Sequence, residues 1–185
     1  QDIRKKMLLN ESIYFVGYNR SSAPWTNYIK TRIRGAKTYV EMTINAGILP
    51  DAHWLLDKKT CGGRILGEFC HFIDLALTIL NHTKLISVEC VRRDRYFQDT
   101  GDFILNFQDG SIARINYRHD LPPNIPKEKI IVETNLKRFI NYNWNKFSGF
   151  NFLKPIKKGK GHIQAVDSFL ERIKNNNFST KNEIE

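Results

Sequence analysis

Hydrophobic residues along this chain follow two kinds of spacing, one helical and one alternating. In the segments 24–33 and 63–80, apolar residues recur at three- and four-residue steps, which is the spacing of helices. Pro24 at the start of the first segment and Gly35 after its end are typical of helix boundaries. A further amphipathic helix is predicted over 161–174. We therefore expect two or three helices.

Most of the remaining pattern alternates between apolar and polar residues, as in strands with one buried face. The predicted strands cover 37–45, 85–93, 103–107, 112–117, 129–133 and 138–142. Asp109-Gly110 separates two of them and is typical of a tight hairpin. Because about six mostly antiparallel strands accompany the helices, we predict an α+β fold: a large, open, mostly antiparallel sheet with helices packed on one face.

Three stretches lie outside this pattern. Ile13 to Tyr18 is β-branched and aromatic, which predicts a strand buried on both faces, as in a separate parallel sheet upstream. Residues 141–152 are rich in Asn and aromatic residues and receive no assignment. Residues 46–60 lack any period and predict a long loop, a kind of segment that often carries function.

The composition of the 185 residues excludes several classes of protein. With 41% hydrophobic and 12% aromatic residues the chain can bury a core, which disordered chains cannot. Its apolar runs are far shorter than the roughly 18 residues that span a bilayer, so we expect no membrane partner. Three irregularly spaced cysteines fit no disulfide framework, and we expect a reducing, cytoplasmic location.

The formal net charge of +10 favours an anionic partner or ligand. Basic residues cluster at Arg92-Arg93, Lys157-Lys158 and Lys160, so a nucleic-acid-binding domain is one alternative. The aromatic-rich strand signature of an RNA-recognition sheet is absent from the sequence. We therefore expect a solvated basic face and no nucleic-acid partner.

The helix predicted over 63–80 carries the candidate chemistry. Its polar residues fall at positions 64, 68, 71, 74 and 78, which places them on one stripe of an otherwise apolar helix. His71 and Glu68 form a candidate general acid–base pair, because a neighbouring carboxylate fixes the tautomer of an imidazole and raises its pKa. The alternative is a hydrogen-bonded core histidine beside an Arg64–Glu68 ion pair.

Other kinds of site have less support in the sequence. Gly62-Gly63 before this helix either brings the backbone close to an anionic ligand or forms a simple turn. No G-x-G-x-x-G segment follows a strand, so the sequence holds no dinucleotide fingerprint. Cys61, Cys70 and His71 lack the spacing of zinc ligands, and we expect no metal.

Several short segments carry a family resemblance. They are Val16 to Arg20, Ile44 to Gly47, His53-Trp54 and Gly62 to Asp74, with Phe103 to Tyr117 and Gly159 to His162 fitting the same pattern. In this order, over nearly the whole chain, they resemble the glucose–fructose oxidoreductase/inositol dehydrogenase/MocA family.

The resemblance implies a domain organisation. Members have an N-terminal Rossmann domain that binds NAD(P), then a C-terminal α/β domain whose open sheet mediates oligomerisation. By this similarity residues 1–22 are the remnant of the last Rossmann strand, 23–176 are the substrate-binding and oligomerisation domain, and 177–185 are a polar tail. NAD or NADP would then be bound mainly upstream of this chain, and a homo-oligomer is expected.

The resemblance also assigns site residues. His71 falls on the family's active-site histidine, which moves a proton to or from the sugar hydroxyl. Many members carry Asp four residues earlier, where this chain has Gly67, and Glu68 is a candidate substitute. The residues expected to bind substrate are Arg20, Asn45, His53, Trp54 and Arg64, with Asn19 close by.

The function that follows from the resemblance is oxidation of a secondary alcohol on a sugar or nucleotide-sugar, or the reverse reduction, with hydride exchanged with a nicotinamide. The chain by itself is expected to be inactive. A non-catalytic sugar-binding or scaffold relative is the alternative, and Gly67 in place of Asp supports it.

Overall fold

The computed structural model describes residues 15–57, 59, 62–91, 100–149 and 155–175. Seven strands form one sheet: β1 Tyr39–Asn45, β2 Leu85–Val91, β3 Gly101–Phe107, β4 Ile112–Arg118, β5 Glu128–Glu133, β6 Arg138–Tyr142 and β7 Lys146–Ser148. Their order across the sheet is β2-β3-β4-β1-β5-β6-β7. Neighbouring strands are antiparallel except β1 and β4, which are parallel. The predicted α+β fold is confirmed.

Within the described residues, three α-helices accompany the sheet: α1 Pro24–Ile33, α2 Cys70–Ile79 and α3 His162–Lys174. One face of the sheet and the apolar sides of α1 and α2 form a single core. Val40, Met42 and Ile44 enter it from β1 and are at most 1% exposed, because alternate residues of a strand point to the same face. Trp25 from α1 and Leu75 from α2 pack into the same cluster.

The opposite face of the sheet carries no described helix and mixes charged with apolar side chains. One row of paired residues crosses five strands on this face, in the order Ile104, Arg114, Glu41, Ile131 and Ile140. Oppositely charged neighbours thus lie at the centre of the row, between aliphatic ones. This arrangement gives the sheet a face that is half polar and half apolar.

The structure differs from the sequence prediction within one helix and in the number of strands. The helix expected over 63–80 contains a π-helical turn, Ile65–Phe69, before α2 begins. The region 141–152, left unassigned, contains β7, which pairs with β6 through residues such as Phe147 and Asn141. The sheet therefore has seven strands where about six were expected.

The strand predicted over Ile13 to Tyr18 is wrong for its described part, residues 15–18. These residues form no strand, and the Tyr18 and Asn19 amides donate to the Val16 and Gly17 carbonyls at 2.8 and 2.9 Å, so the backbone turns instead of extending. Residues 13 and 14, the basic pair 92–93, Cys61 and the tail 177–185 lie outside the described residues. No helix in the described ranges is long and apolar enough to cross a membrane.

Candidate active site

His71 lies in the first turn of α2 and is half-buried. The ring of Tyr18 packs edge-to-face against its imidazole, with 5.3 Å between ring centroids and 88° between planes. The Nδ1 atom of His71 is buried and has no hydrogen-bond partner among the described residues. The alternative interpretation, a core histidine held by hydrogen bonds, therefore does not apply to Nδ1 of this imidazole.

The surroundings of His71 favour its neutral form. Burial lowers its pKa below the ordinary value, and the positive charge of Arg20 lowers it further. The carboxylates of Glu68 and Glu128 act in the opposite direction but do not outweigh these effects. Glu68 does raise the pKa of His71, as expected of a neighbouring carboxylate, but the net shift is downward because burial and Arg20, which the sequence pattern does not show, outweigh it.

Glu68 contacts groups other than His71. Its Oε2 accepts a hydrogen bond from the Tyr117 hydroxyl at 2.6 Å and another from the Arg64 guanidinium at 3.0 Å. The Arg64–Glu68 ion pair considered as an alternative is thus present. Burial, with Glu68 as the hydrogen-bond acceptor, raises the pKa of Tyr117, so this phenol stays protonated and donating.

Arg64 shapes the loop that follows β1. Only 2% of the residue is exposed, and its guanidinium donates to the carbonyls of Gly47 and Ala46 at 2.6 and 2.8 Å. Its Nε is buried without a partner among the described residues. The predicted substrate-binding residue therefore ties the 46–57 loop to the helix that carries His71.

Arg20 belongs to a buried charge cluster. Its Nε and Nη2 donate to the two carboxylate oxygens of Glu128 at 2.9 and 2.8 Å. Lys160 and the Trp144 indole also donate to this carboxylate, at 2.5 and 2.6 Å. Burial by itself would raise the pKa of Glu128, but Arg20 and Lys160 outweigh it and lower the pKa to about 2.

The same cluster places the 3₁₀ turn Asn19–Ser22 next to α2. The Arg20 guanidinium lies over the ring of Phe72, 4.6 Å from its centroid. The hydroxyl of Ser21 donates to the carboxylate of Asp74, and burial raises the pKa of that carboxyl. Asn19 donates to the Lys160 carbonyl at 2.9 Å. The turn is thereby fixed against both α2 and the segment that precedes α3.

The remaining predicted substrate residues lie at the end of β1 and on the loop that follows it. Asn45 donates through Nδ2 to the carbonyls of Pro122 and Ile125 at 3.2 and 3.4 Å, and its buried Oδ1 has no partner among the described residues. His53 accepts the Leu55 amide hydrogen at Nδ1, which caps a short 3₁₀ turn. Trp54 stacks beside His53 and is 63% exposed.

The structure thus places Arg20 and Tyr18 beside His71, and joins Glu68 to Arg64. The contacts described above for Asn45, His53 and Trp54 are made with residues other than His71. The sequence does not identify Glu128 or Tyr117 as site residues, although Tyr117 ends one of the segments that carry the family resemblance. It shows Lys160 only as one of several clustered basic residues.

Other ligand sites have little support in the part of the chain that the structure describes. No group of three metal-ligating side chains occurs there. Gly62 and Gly63 have φ values of 74° and 83°, which suit glycine both in a simple turn and where the backbone approaches a ligand. A groove of about 510 Å³ lies at the far end of α1 from the His71 region, lined by Thr31, Arg32, Arg34 and Lys137.

Comparison with known proteins gives matches in structure only. No protein-family model and no curated protein matches this sequence. An oxidoreductase from Thermotoga maritima superposes with a TM-score of 0.70 at 15% identity, over 95% of this chain and 57% of its own. An aldose–aldose oxidoreductase from Caulobacter crescentus, complexed with glycerol, has a TM-score of 0.68 at 14% identity, over 86% of this chain and 53% of its own.

An inositol dehydrogenase homologue from Azotobacter vinelandii, complexed with NAD⁺, matches with a TM-score of 0.65 at 14% identity, over 89% of this chain and 49% of its own. The present chain therefore spans between 49% and 57% of the length of these three structures. Identities this low establish a shared fold. The chain has the fold of a part of oxidoreductases of the inositol dehydrogenase type.

Proposed function

We propose that this chain is the substrate-binding and oligomerisation domain of a longer NAD(P)-dependent oxidoreductase that acts on a secondary alcohol of a sugar or nucleotide-sugar. The shared fold supports this proposal, because the proteins that have it include an aldose–aldose oxidoreductase and an inositol dehydrogenase homologue with NAD⁺. The observation that carries it is His71, a half-buried imidazole whose pKa is lowered by burial and by Arg20.

A neutral imidazole can take the proton that an alcohol loses when it is oxidised. In this step the O–H bond breaks and its proton goes to His71, while the C–H bond breaks and its electron pair leaves with the hydrogen as hydride. A C=O bond forms between the carbon that loses the hydride and the oxygen that loses the proton. Because Nδ1 is buried, Nε2 is the ring nitrogen that would take the proton. In the reduction, the imidazolium would return it.

The charge cluster around Glu128 would hold the site in shape. Arg20 is linked to Glu128 by two hydrogen bonds and lies over Phe72, on the helix of His71. Its charge destabilises the imidazolium, so that a proton taken from the substrate is released again readily. In this proposal Arg20 acts through His71, whereas His53 and the exposed Trp54 supply contact area for the sugar.

The hydride acceptor would be held by a part of the longer protein outside the described residues. A bound nicotinamide supplies the carbon that accepts the hydride. Gly62 and Gly63 precede a helix, but the Arg64 that follows them donates to the carbonyls of Ala46 and Gly47. The Arg64 guanidinium is thus engaged by these carbonyls and by Glu68, and we assign no cofactor contact to these residues.

The open face of the sheet would form the homo-oligomer. Glu41 lies opposite Arg114 at the centre of a row whose members on β3, β5 and β6 are Ile104, Ile131 and Ile140. A twofold axis through such a row brings opposite charges and apolar groups of two copies together, which is how a self-complementary interface is built.

A non-catalytic sugar-binding relative is the second candidate, and one observation favours it. A Cβ atom at Gly67 would lie 2.6 Å from Cδ2 of Leu55, so the position has no room for a carboxylate unless Leu55 moves. The position where related enzymes carry Asp is therefore filled by the 46–57 loop.

One assay separates the two candidates. The longer protein is incubated with NAD⁺ or NADP⁺ and a panel of sugars and nucleotide-sugars, and formation of reduced nicotinamide is followed by absorbance. Reduction with at least one substrate is expected, while the 185-residue chain alone should show neither turnover nor micromolar binding of NADH in calorimetry. A longer protein that binds a sugar but reduces neither cofactor would be the non-catalytic relative.

A further inference from the structure

Among the described residues, Nδ1 of His71 has no hydrogen bond that would orient the imidazole. A catalytic histidine is commonly held by a hydrogen bond from one ring nitrogen to a carboxylate or a carbonyl, which fixes both the ring plane and the tautomer. Here Nδ1 is buried and without such a partner among the described residues. Another contact must therefore hold the ring.

Tyr18 makes that contact. Its ring meets the imidazole at 5.3 Å between centroids and at 88° between planes, which is the favoured edge-to-face arrangement of two aromatic rings. Tyr18 is itself fixed at both ends. Its amide donates to the Val16 carbonyl at 2.8 Å, and its hydroxyl interacts with the thiol of Cys70, the residue before His71.

The charged groups around His71 act at longer range. They come from every element packed near it: Arg20 from the 3₁₀ turn, Glu68 from the π-helical turn, Glu128 from β5 and His162 from the start of α3. Arg20 and Glu128 bind each other, and Glu68 binds Arg64 and Tyr117. Cys70 and Asp74 on α2 interact with Tyr18.

We propose that Tyr18 is a positioning residue for His71, with its ring doing by packing what a hydrogen-bonded carboxylate does for other catalytic histidines. The inference rests on the proposed function for its catalytic meaning, but the contact between the two rings can be tested without turnover. The ring, not the hydroxyl, carries the role. Tyr18 also excludes water from one side of the imidazole and so contributes to its burial.

The test is a titration of the histidine ring signals of the ¹⁵N-labelled 185-residue chain by NMR, with the His71 signal assigned from the His71→Gln variant. In the wild type, His71 should titrate below the ordinary value for a histidine. Tyr18→Phe keeps the ring and should leave both the titration and the tautomer unchanged. Tyr18→Leu removes the ring and should move the His71 pKa back up towards the ordinary value, with both tautomers populated.

Phe15→Leu is the matched control, because it removes an aromatic ring from the same segment that stacks on Phe169, 5.2 Å away, and does not contact His71. Its His71 titration should equal that of the wild type. A Tyr18→Leu variant with an unchanged His71 titration overturns the proposal. A Tyr18→Phe variant with a shifted His71 titration also overturns the proposal. This variant keeps the proposal falsifiable even if Tyr18→Leu fails to fold.

The result is independent of the proposed function. If His71 proves dispensable for turnover in the longer protein, the proposed function fails while the ring contact stands or falls by the titration alone. If Tyr18→Leu does not move the titration, the positioning role fails while the proposed function stays open. In an active longer protein, Tyr18→Leu should lower kcat about tenfold with little change in KM, and Tyr18→Phe should restore it.

Discussion

The carboxylate of Glu128 accepts two hydrogen bonds from the guanidinium of Arg20, at 2.9 and 2.8 Å, where only 1% of the Glu128 side chain is exposed. The two residues are 108 positions apart, so the pair joins the turn before α1 to the start of β5. Lys160 adds a second positive charge from the segment before α3. The Trp144 indole, between β6 and β7, donates to Glu128 as well, so four separate parts of the chain meet at one carboxylate, beside the helix that carries His71.

Removing this carboxylate should destabilise the fold. Glu128→Gln leaves Arg20 and Lys160 near each other without their counter-charge, and breaking a buried ion pair on one side costs roughly 3–5 kcal/mol. Chemical denaturation of the 185-residue chain measures the loss. Glu133→Gln is the control, since Glu133 pairs with the exposed Arg138 and should cost less than about 1 kcal/mol. Equal losses in the two variants would show that the Glu128 cluster is not the stabilising pair.

The same carboxylate predicts how stability depends on pH. The pKa of Glu128 is about 2 in the fold against an ordinary 4.5, so the unfolded chain binds a proton at a higher pH than the native chain does. Its contribution is therefore complete above the ordinary value and is lost as the pH falls from about 4.5 towards 2. Denaturation midpoints measured across this range should fall more steeply for the wild type than for Glu128→Gln. Parallel curves would contradict the assigned pKa.

Gly67 is predicted to set how closely the 46–57 loop packs on the helix. Gly67→Ala places a methyl group 2.6 Å from Cδ2 of Leu55, the far end of a half-buried side chain that can rotate away, so the loss should stay below about 1 kcal/mol. Shortening Leu55 to Ala should relieve the clash, so the double variant should lose less than the sum of the two single variants. Gly17→Ala, which meets nothing within 4 Å, is the control for the loss of a glycine. Additive losses would mean that the loop does not press on Gly67.

The open sheet face gives a prediction for assembly. Ile140→Asp places a charge in the row that contains Glu41 and Arg114, and should shift the protein to monomers at micromolar concentration in multi-angle light scattering. Ile163→Asp makes the same change on α3, where the side chain is 65% exposed, and should leave the oligomer intact. If only the second variant dissociates, the interface lies on α3 and not on the sheet.

Much of the fold could be predicted because its strands have one buried face. The alternation of β1, with Val40, Met42 and Ile44 inside, is visible in the sequence and fixes which face packs on the helices. β7 was not visible, because its three residues are too few to show a period. The π-helical turn was not visible either, since it changes the hydrogen bonding of a segment whose apolar pattern is still helical.

The candidate site was predictable only in part, because a sequence pattern shows local properties and not the contacts between distant residues. His71 stands out because it lies on the polar stripe of an apolar helix, a local property of the sequence. The features that set the pKa of His71 do not stand out in the sequence. Arg20 lies 51 residues before His71 in the chain, and the burial of His71 depends on the fold. Glu68, the local neighbour, binds Arg64 and Tyr117.

The role of His71 is tested by the turnover of the longer protein that contains these residues, wild type against His71→Gln. Gln has a similar size but cannot take a proton, so kcat should fall roughly a hundredfold or more while KM changes little. His82→Gln, which alters a histidine paired with Asp109 at 3.3 Å, should turn over like the wild type. A His71→Gln variant with near-normal kcat would contradict the account, because His71 would then not move the proton.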